Sequence, residues 1–134
     1  MLKSIGVVLG CYILSVLLVM ATDPLLMHLY PGDYAKNRVP STNPLIVSTA
    51  LFVVISIFCA ALCARFAPVK TGAHVLWFMI LGEAMGLSFT IANWSKGWPH
   101  WYSLAWLIAW PVSCWIGFVV GRRKLLAEKK PQAA

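Results

Sequence analysis

The sequence predicts an all-α polytopic membrane protein, a four-transmembrane-helix bundle with both termini in the cytoplasm. Two observations predict it. Hydrophobic residues make up 60% of the 134-residue chain and charged residues only 11%, where a soluble domain has roughly 25% charged residues. The apolar residues also fall in four long runs separated by short polar segments. Too few polar side chains are present to cover a surface in water, so we expect a single domain whose solvent is a bilayer.

The four runs match the length of membrane-spanning helices, since a helix needs about 20 mostly apolar residues to cross the hydrocarbon core. The spans are predicted at about residues 4–21, 44–64, 73–92 and 101–121. The first is expected to stop at Thr22-Asp23-Pro24. The second is expected to open at Ser41-Thr42-Asn43-Pro44, where a capping residue is followed by proline. Strands are excluded because only helices and closed barrels satisfy their backbone groups in lipid.

The first span has an alternative interpretation as a cleaved signal peptide. Lys3 precedes the apolar run, and Val19-Met20-Ala21 is a plausible small-residue cleavage site. The run is long for a signal, and three further spans follow it. These features favour a retained helix.

The basic residues predict the orientation. Eight of them would share one side of the membrane and three the other, so the positive-inside rule places the richer side in the cytoplasm. The richer side holds Lys3, Arg65, Lys70, Arg122, Arg123, Lys124, Lys129 and Lys130, and the poorer side holds Lys36, Arg38 and Lys96. Residues 122–134 are then a basic cytoplasmic tail facing anionic lipid. Nucleic acid is excluded as a partner, because it requires a basic face on a soluble fold.

The outer interface is expected to hold a belt of aromatic side chains near the ends of the last two spans. Its members would be Trp94, Trp98, Trp101 and Tyr102, joined by Tyr30 and Tyr34.

Glu83 is the only formal charge deep inside a predicted span. It lies about ten residues, or roughly 15 Å, from each end of the third helix, and therefore near the bilayer midplane. An acidic side chain there costs about 2.5–3.5 kcal/mol, and intramembrane ionisable residues are functional candidates for that reason. No basic residue lies at the same depth, so we expect a protonated carboxyl.

Polar side chains from the other spans reach a similar depth and predict a polar layer around Glu83. We single out Tyr12, Ser56 and Ser113 as candidate functional neighbours. In the simplest interpretation a neutral Glu83 is hydrogen-bonded to one of them and pins the helices together. The alternatives are a proton-linked or ligand-binding role, or a contact with lipid, quinone or a partner subunit.

Small residues spaced by four predict close helix packing, because they let two helices approach. Gly82 and Gly86 share the face of the third span that holds Glu83, which predicts that this face contacts protein. Ser113, Gly117 and Gly121 repeat the pattern in the fourth span.

Cysteine and histidine positions predict neither a metal nor a cofactor. The four cysteines lie inside apolar runs and are expected to be core residues. Cys59 and Cys63 share a helix face at a spacing that suits two metal ligands, but no third ligand accompanies them. His74 and His100 are expected at opposite membrane faces and His28 in a loop, so no two of them suit one haem iron.

With the spans placed, the chain resembles a widespread group of short four-helix bacterial membrane proteins without an assigned activity. The motifs are Gly10-Cys11-Tyr12, Pro40-Ser41, Ala64-Arg65-Phe66-Ala67-Pro68, His74, Pro99-His100-Trp101-Tyr102 and Pro111. The resemblance implies a shared fold in a bacterial cytoplasmic membrane. It implies no substrate, cofactor or active-site residue.

Three functions are compatible with the residues. The first expectation is a non-enzymatic structural or accessory membrane protein that contacts lipid and associates with itself or a larger membrane assembly, because no catalytic motif is present. The second is a small proton-linked transporter that uses Glu83. The third is a membrane-embedded protein acting on lipid or quinone.

Overall fold

The computed structural model describes residues 1–34, 39–68 and 70–128, and this part of the chain is helical, without strands. The long helices are α1 (Leu2–Leu29), α3 (Thr42–Phe66), α4 (Thr71–Asn93) and α5 (His100–Glu128), and α2 (Pro31–Tyr34) is a single short turn. All four long helices are long and apolar enough to cross a membrane. The all-α architecture and the four apolar helices are therefore confirmed.

Helix α1 runs further than the sequence predicted. The expected stop at Thr22-Asp23-Pro24 is wrong, since Pro24 lies inside a helix that continues to Leu29. A proline there removes one backbone hydrogen bond. The residues beyond it recover stability by burial, because Leu26 is fully buried.

Helix α5 also continues past the predicted end of the fourth span, and the first seven residues of the predicted tail, 122–128, are helical. Lys129 and Lys130 of that tail, and Lys36 and Arg38 of the first loop, lie outside the described residues. Helix α3 begins as predicted, with Ser41 as its N-cap. The Ser41 hydroxyl donates to Asp33 at 3.1 Å and does not cap the helix itself.

The helices run alternately up and down. Gly117 at the end of α5 meets Ala60 near the end of α3, and Gly72 at the start of α4 meets Phe118 of α5. Helix α1 packs against α3 and α4. Helix α5 also packs against α3 and α4. The start of α1, the end of α3, the start of α4 and the end of α5 therefore share one end of the bundle.

The half of the bundle nearest that end is tightly packed, and we call it the packed half. Its buried side chains are small or aromatic and come from all four long helices: Val8, Cys11, Cys59, Ala60, Cys63, Ala64, Val75, Phe78 and Cys114. The basic residues Lys3, Arg65, Lys70, Arg122 and Arg123 lie at this end of the bundle. The charge asymmetry noted in the sequence therefore falls on one end of the bundle.

The seam between α3 and α5 depends on two glycines. A Cβ on Gly117 would lie 2.6 Å from both the Ala60 Cβ and the Ile57 carbonyl oxygen, and one on Gly121 would lie 2.7 Å from the Ala61 carbonyl oxygen. Real Cβ atoms do not approach backbone this closely, so the small residues of α5 set the distance between these helices.

We therefore expect Gly117→Ala to destabilise the bundle by about 1–3 kcal/mol, the usual cost of overpacking, against a gain in helix propensity of up to about 1 kcal/mol. Gly10→Ala is the matched control, because a Cβ at Gly10 would meet no atom within 4 Å. Unfolding of both variants by denaturing detergent measures the difference. Equal stability of the two variants would contradict the close α3–α5 seam.

Candidate functional site

The half of the bundle away from the packed half contains a cavity of about 480 Å³, which we call the aromatic cavity. It is lined by residues of α1 between Tyr12 and Asp23, by Ser48 and Phe52 of α3, and by residues of α4 between Gly82 and Thr90. Trp98, just before α5, and residues of α5 between Tyr102 and Trp110 complete the lining. Its volume falls in the range of about 300–1,000 Å³ typical of small-molecule pockets. Beyond the packed half, the four long helices therefore line a partly open space of ligand size.

Glu83 lies at the deep end of the aromatic cavity. The α4 residues that line it begin at Gly82 and end at Thr90, seven residues or roughly 10 Å beyond Glu83. Glu83 also lines a second, shallower groove with Met79, Ile80 and Pro111 on the outside of the α4–α5 pair. The carboxyl group therefore lies between an internal cavity and an external groove.

The Glu83 side chain is half-buried, and its Oε2 atom is buried without a hydrogen-bond partner among the described residues. Almost all buried polar atoms in proteins are paired, and an unpaired one is costly. An unpaired carboxyl oxygen beside a cavity can accept a hydrogen bond or hold a proton or cation that enters the cavity.

The predicted neighbours of Glu83 are divided between two environments. Tyr12 lines the aromatic cavity with Glu83. Ser56 and Ser113 are buried side chains of α3 and α5 that do not line it.

The expected hydrogen bond from Glu83 to Tyr12, Ser56 or Ser113 is absent from the described part of the chain. For Ser56 the reason is local: its hydroxyl donates to the Phe52 carbonyl at 2.6 Å. A serine within a helix commonly satisfies its hydroxyl in this way. Pinning of the helices through the Glu83 Oε2 atom is therefore not observed among the described residues.

Gly82 positions Trp110 beside Glu83. A Cβ on Gly82 would overlap the Trp110 indole, so only glycine leaves room for that ring. The Trp110 Nε1 atom donates to the Met79 carbonyl oxygen at 2.9 Å, which fixes the ring across α4. Gly86 is less restricted, because a Cβ there would lie 3.4 Å from the end of the Leu107 side chain. Gly82, Glu83 and Trp110 form the floor of the aromatic cavity.

An aromatic row follows one face of the chain from Trp98 to the floor. Trp98, Tyr102, Trp106 and Trp110 occur at every fourth position and all line the cavity. Phe52 of α3 stacks on Trp106, with ring centroids 3.9 Å apart and planes 16° apart. Sequence reasoning missed this row, although a four-residue spacing of aromatic residues is visible in the sequence and places them on one helix face.

Three further polar features line the cavity. The Trp106 Nε1 atom is a buried donor without a partner in the described ranges. Nearer the open end, the hydroxyls of Ser48 and Tyr102 are 3.1 Å apart and hydrogen-bonded. Asp23 lies exposed at the open end. Trp98 and Tyr102, expected in an interfacial belt, thus also line the cavity.

The cysteines and histidines lie elsewhere. All four cysteines are buried and free, and they belong to the core of the packed half. Among the described residues, no three His, Cys, Asp or Glu side chains are placed to hold a metal ion. His100 stacks on Trp94 at 4.0 Å, outside the cavity.

Comparisons of the chain with protein-family models, with curated proteins and with solved structures gave no match. The resemblance to short four-helix bacterial membrane proteins therefore stays a prediction.

Proposed function

We propose that the chain is a multi-pass protein of a cell membrane, a bacterial cytoplasmic membrane as the family resemblance implies, with both termini in the cytoplasm. Its four apolar helices and the position of Lys3, Arg65, Lys70 and Arg122 at one end of the bundle support this orientation. Reporter fusions at the C-terminus are expected to report the cytoplasm. An external signal from the same fusions would reverse the orientation.

Within that membrane we propose a non-enzymatic, proton-linked transporter of a small amphiphilic molecule, with Glu83 as the group that exchanges protons. The supporting observation is the buried, unpaired Oε2 atom of Glu83 at the floor of a ligand-sized cavity. A carboxyl kept only for stability is expected to have partners, because something must offset the cost of placing it in a membrane. An unpaired carboxyl between a cavity and an outer groove favours a functional role.

The first expectation from the sequence was a structural or accessory protein, which rested partly on small-residue faces suited to association. In this structure the glycines of those faces contact other helices of the same chain. Gly117 and Gly121 contact α3, and Gly82 contacts Trp110 of α5. The geometry therefore favours transport over the accessory role, while self-association remains a separate prediction.

Labelling by a hydrophobic carbodiimide tests the proposed function, since the reagent needs a protonated carboxyl in an apolar site. We expect Glu83 to be labelled in membranes at about pH 5, and labelling to fall as pH rises towards about 9, because an exchanging carboxyl must release its proton within the working range. Glu83→Gln gives the blank, and Asp23→Asn tests that the label is not at the open end. Labelling that is absent or constant over this range would return the account to an accessory protein.

A further inference from the structure

The charges of the aromatic cavity have one sign. Two carboxylate side chains line it, Glu83 at the floor and Asp23 at the open end, and no Lys, Arg or His is among its described lining residues. The acidic character extends to the adjacent turn α2. There burial first, and then the negative charges of Asp23 and Asp33, raise the pKa of the Tyr34 phenol. The cavity is therefore complementary to positive charge.

The walls of the cavity are suited to an organic cation with apolar groups. Trp106, Trp110 and Tyr102 present aromatic rings along one side, and Phe52 and Phe89 line the space with them. The face of an aromatic ring attracts a cation, with Trp the best of the three, and the attraction is strongest when the cation is desolvated. A small inorganic cation would find too few oxygen ligands, since Ca²⁺ takes six to eight oxygens.

We propose that the aromatic cavity binds a hydrophobic organic cation, which pairs with the Glu83 carboxylate in exchange for its proton. This rests on the proposed function above and names its substrate class. The exchange is balanced in charge: the neutral acid and a free cation give a carboxylate–cation pair and a proton released to water. No electron transfer and no covalent bond to the cation are involved.

Glu83 is the group suited to this exchange. The titratable groups around it are Tyr12 and Asp23 from α1 and Tyr102 and Cys114 from α5, and the lining residues of α3, Ser48 and Phe52, do not titrate. Asp23 is exposed at the open end, where its negative charge can attract the cation before it reaches Glu83. The side chains of Tyr102 and Ser48 satisfy each other. Among the described residues, only the Glu83 carboxyl has a buried oxygen without a partner.

The entry path is indicated by the exposed members of the lining. Val16 and Met20 of α1 and Met85 and Phe89 of α4 all line the cavity and are also exposed on the outside of the bundle. A cation with apolar substituents partitions to the membrane, so it can reach the cavity between α1 and α4.

The test is equilibrium binding of tetraphenylphosphonium to the purified full-length chain in neutral detergent, with proton release recorded in weakly buffered solution. We expect saturable binding that strengthens at least tenfold between about pH 5.5 and pH 8.5, because proton competition falls as pH rises. About one proton should be released per cation bound near the lower pH. Glu83→Gln should weaken binding at least tenfold and abolish its pH dependence. Ser88→Ala is the control on α4, at an exposed side chain that does not line the cavity, and should bind as the wild-type chain does.

Each outcome has a distinct meaning. Binding that does not change with pH, or that Glu83→Gln leaves intact, would overturn the proposal. A neutral short-chain quinone that binds at Glu83 while tetraphenylphosphonium does not would overturn the cation class, yet leave the proposed proton-linked function standing if carbodiimide labelling is pH-dependent. Labelling that depends on pH, without cation binding, would mean that the substrate class is wrong and that the proposed function stands. Labelling that is absent or constant with pH would mean that the proposed function itself is wrong. Folding of Glu83→Gln is checked by its elution and helical circular dichroism.

Discussion

Replacing Glu83 by leucine is expected to make α4 insert into a membrane more readily and to leave the bundle folded. A charged residue at the middle of a span costs about 2.5–3.5 kcal/mol on insertion scales and leucine is favourable. The expected gain is therefore about 3 kcal/mol, or roughly a hundredfold in the insertion equilibrium. No described hydrogen bond of Glu83 would be lost to offset that gain. The measurement is a glycosylation-based insertion assay of the α4 segment, followed by detergent unfolding of the whole chain.

The sign of this effect separates the two classes of function. If Glu83 pinned the helices, removing it would lower the stability of the folded bundle even though the isolated segment inserted better. If Glu83 is retained for proton exchange, the leucine variant is at least as stable as the wild-type chain and has no activity. A fall in stability of about 1 kcal/mol or more in the full chain would contradict the proposed role. Gly10→Ala, at a position where an added Cβ meets no atom within 4 Å, controls for variation between preparations.

The second large effect is expected for Gly82→Ala. A Cβ there overlaps the Trp110 indole, so the ring must leave its place and its hydrogen bond to the Met79 carbonyl is lost. Overpacking costs about 1–3 kcal/mol, and the lost hydrogen bond about a further 1 kcal/mol. Because the same ring forms the floor of the aromatic cavity, cation binding should weaken at least tenfold. Thermal unfolding and tetraphenylphosphonium binding measure the two effects.

Gly86→Ala is the matched control for this variant, one turn further along α4. A Cβ there would lie 3.4 Å from the flexible end of Leu107, which can shift by a few tenths of an ångström. We expect its stability to change by less than about 1 kcal/mol. The double variant Gly82→Ala with Trp110→Leu should recover part of the stability lost by Gly82→Ala alone, since the smaller side chain removes the overlap. Additive losses would show that the two side chains do not meet.

Much of the fold follows from the sequence, because hydropathy and helix length alone predict four apolar helices. The errors are at helix ends, where packing decides. Pro24 is a local signal to stop, but burial of Leu26 beyond it keeps α1 helical. The end of α5 illustrates the same point, since Arg122, Arg123 and Lys124 end the apolar run without ending the helix.

The candidate site was predictable only in part. The sequence shows Glu83 as a single acidic residue within an apolar run. It also shows Gly82 and Gly86 as small residues spaced by four. The cavity was not predictable, because it results from the shapes and packing of side chains that come from four different helices. Ser56 was predicted as a partner for Glu83 only from its depth in the membrane. Its hydroxyl is instead hydrogen-bonded within its own helix. The role of Trp106 and Trp110 depends on contacts with other helices, namely the stacking of Phe52 on Trp106 and the close approach of Gly82 to Trp110.

The most direct test of the central claim, that Glu83 and the aromatic cavity form one site for proton and cation, is protection of Glu83 from carbodiimide by tetraphenylphosphonium. The full-length chain is labelled at a pH where Glu83 reacts, with increasing amounts of the cation, and the modified peptide is quantified by mass spectrometry. We predict that labelling falls saturably, with half-protection at the concentration that half-saturates binding. Unchanged labelling at saturating cation would contradict the account, because the two ligands would then occupy separate places.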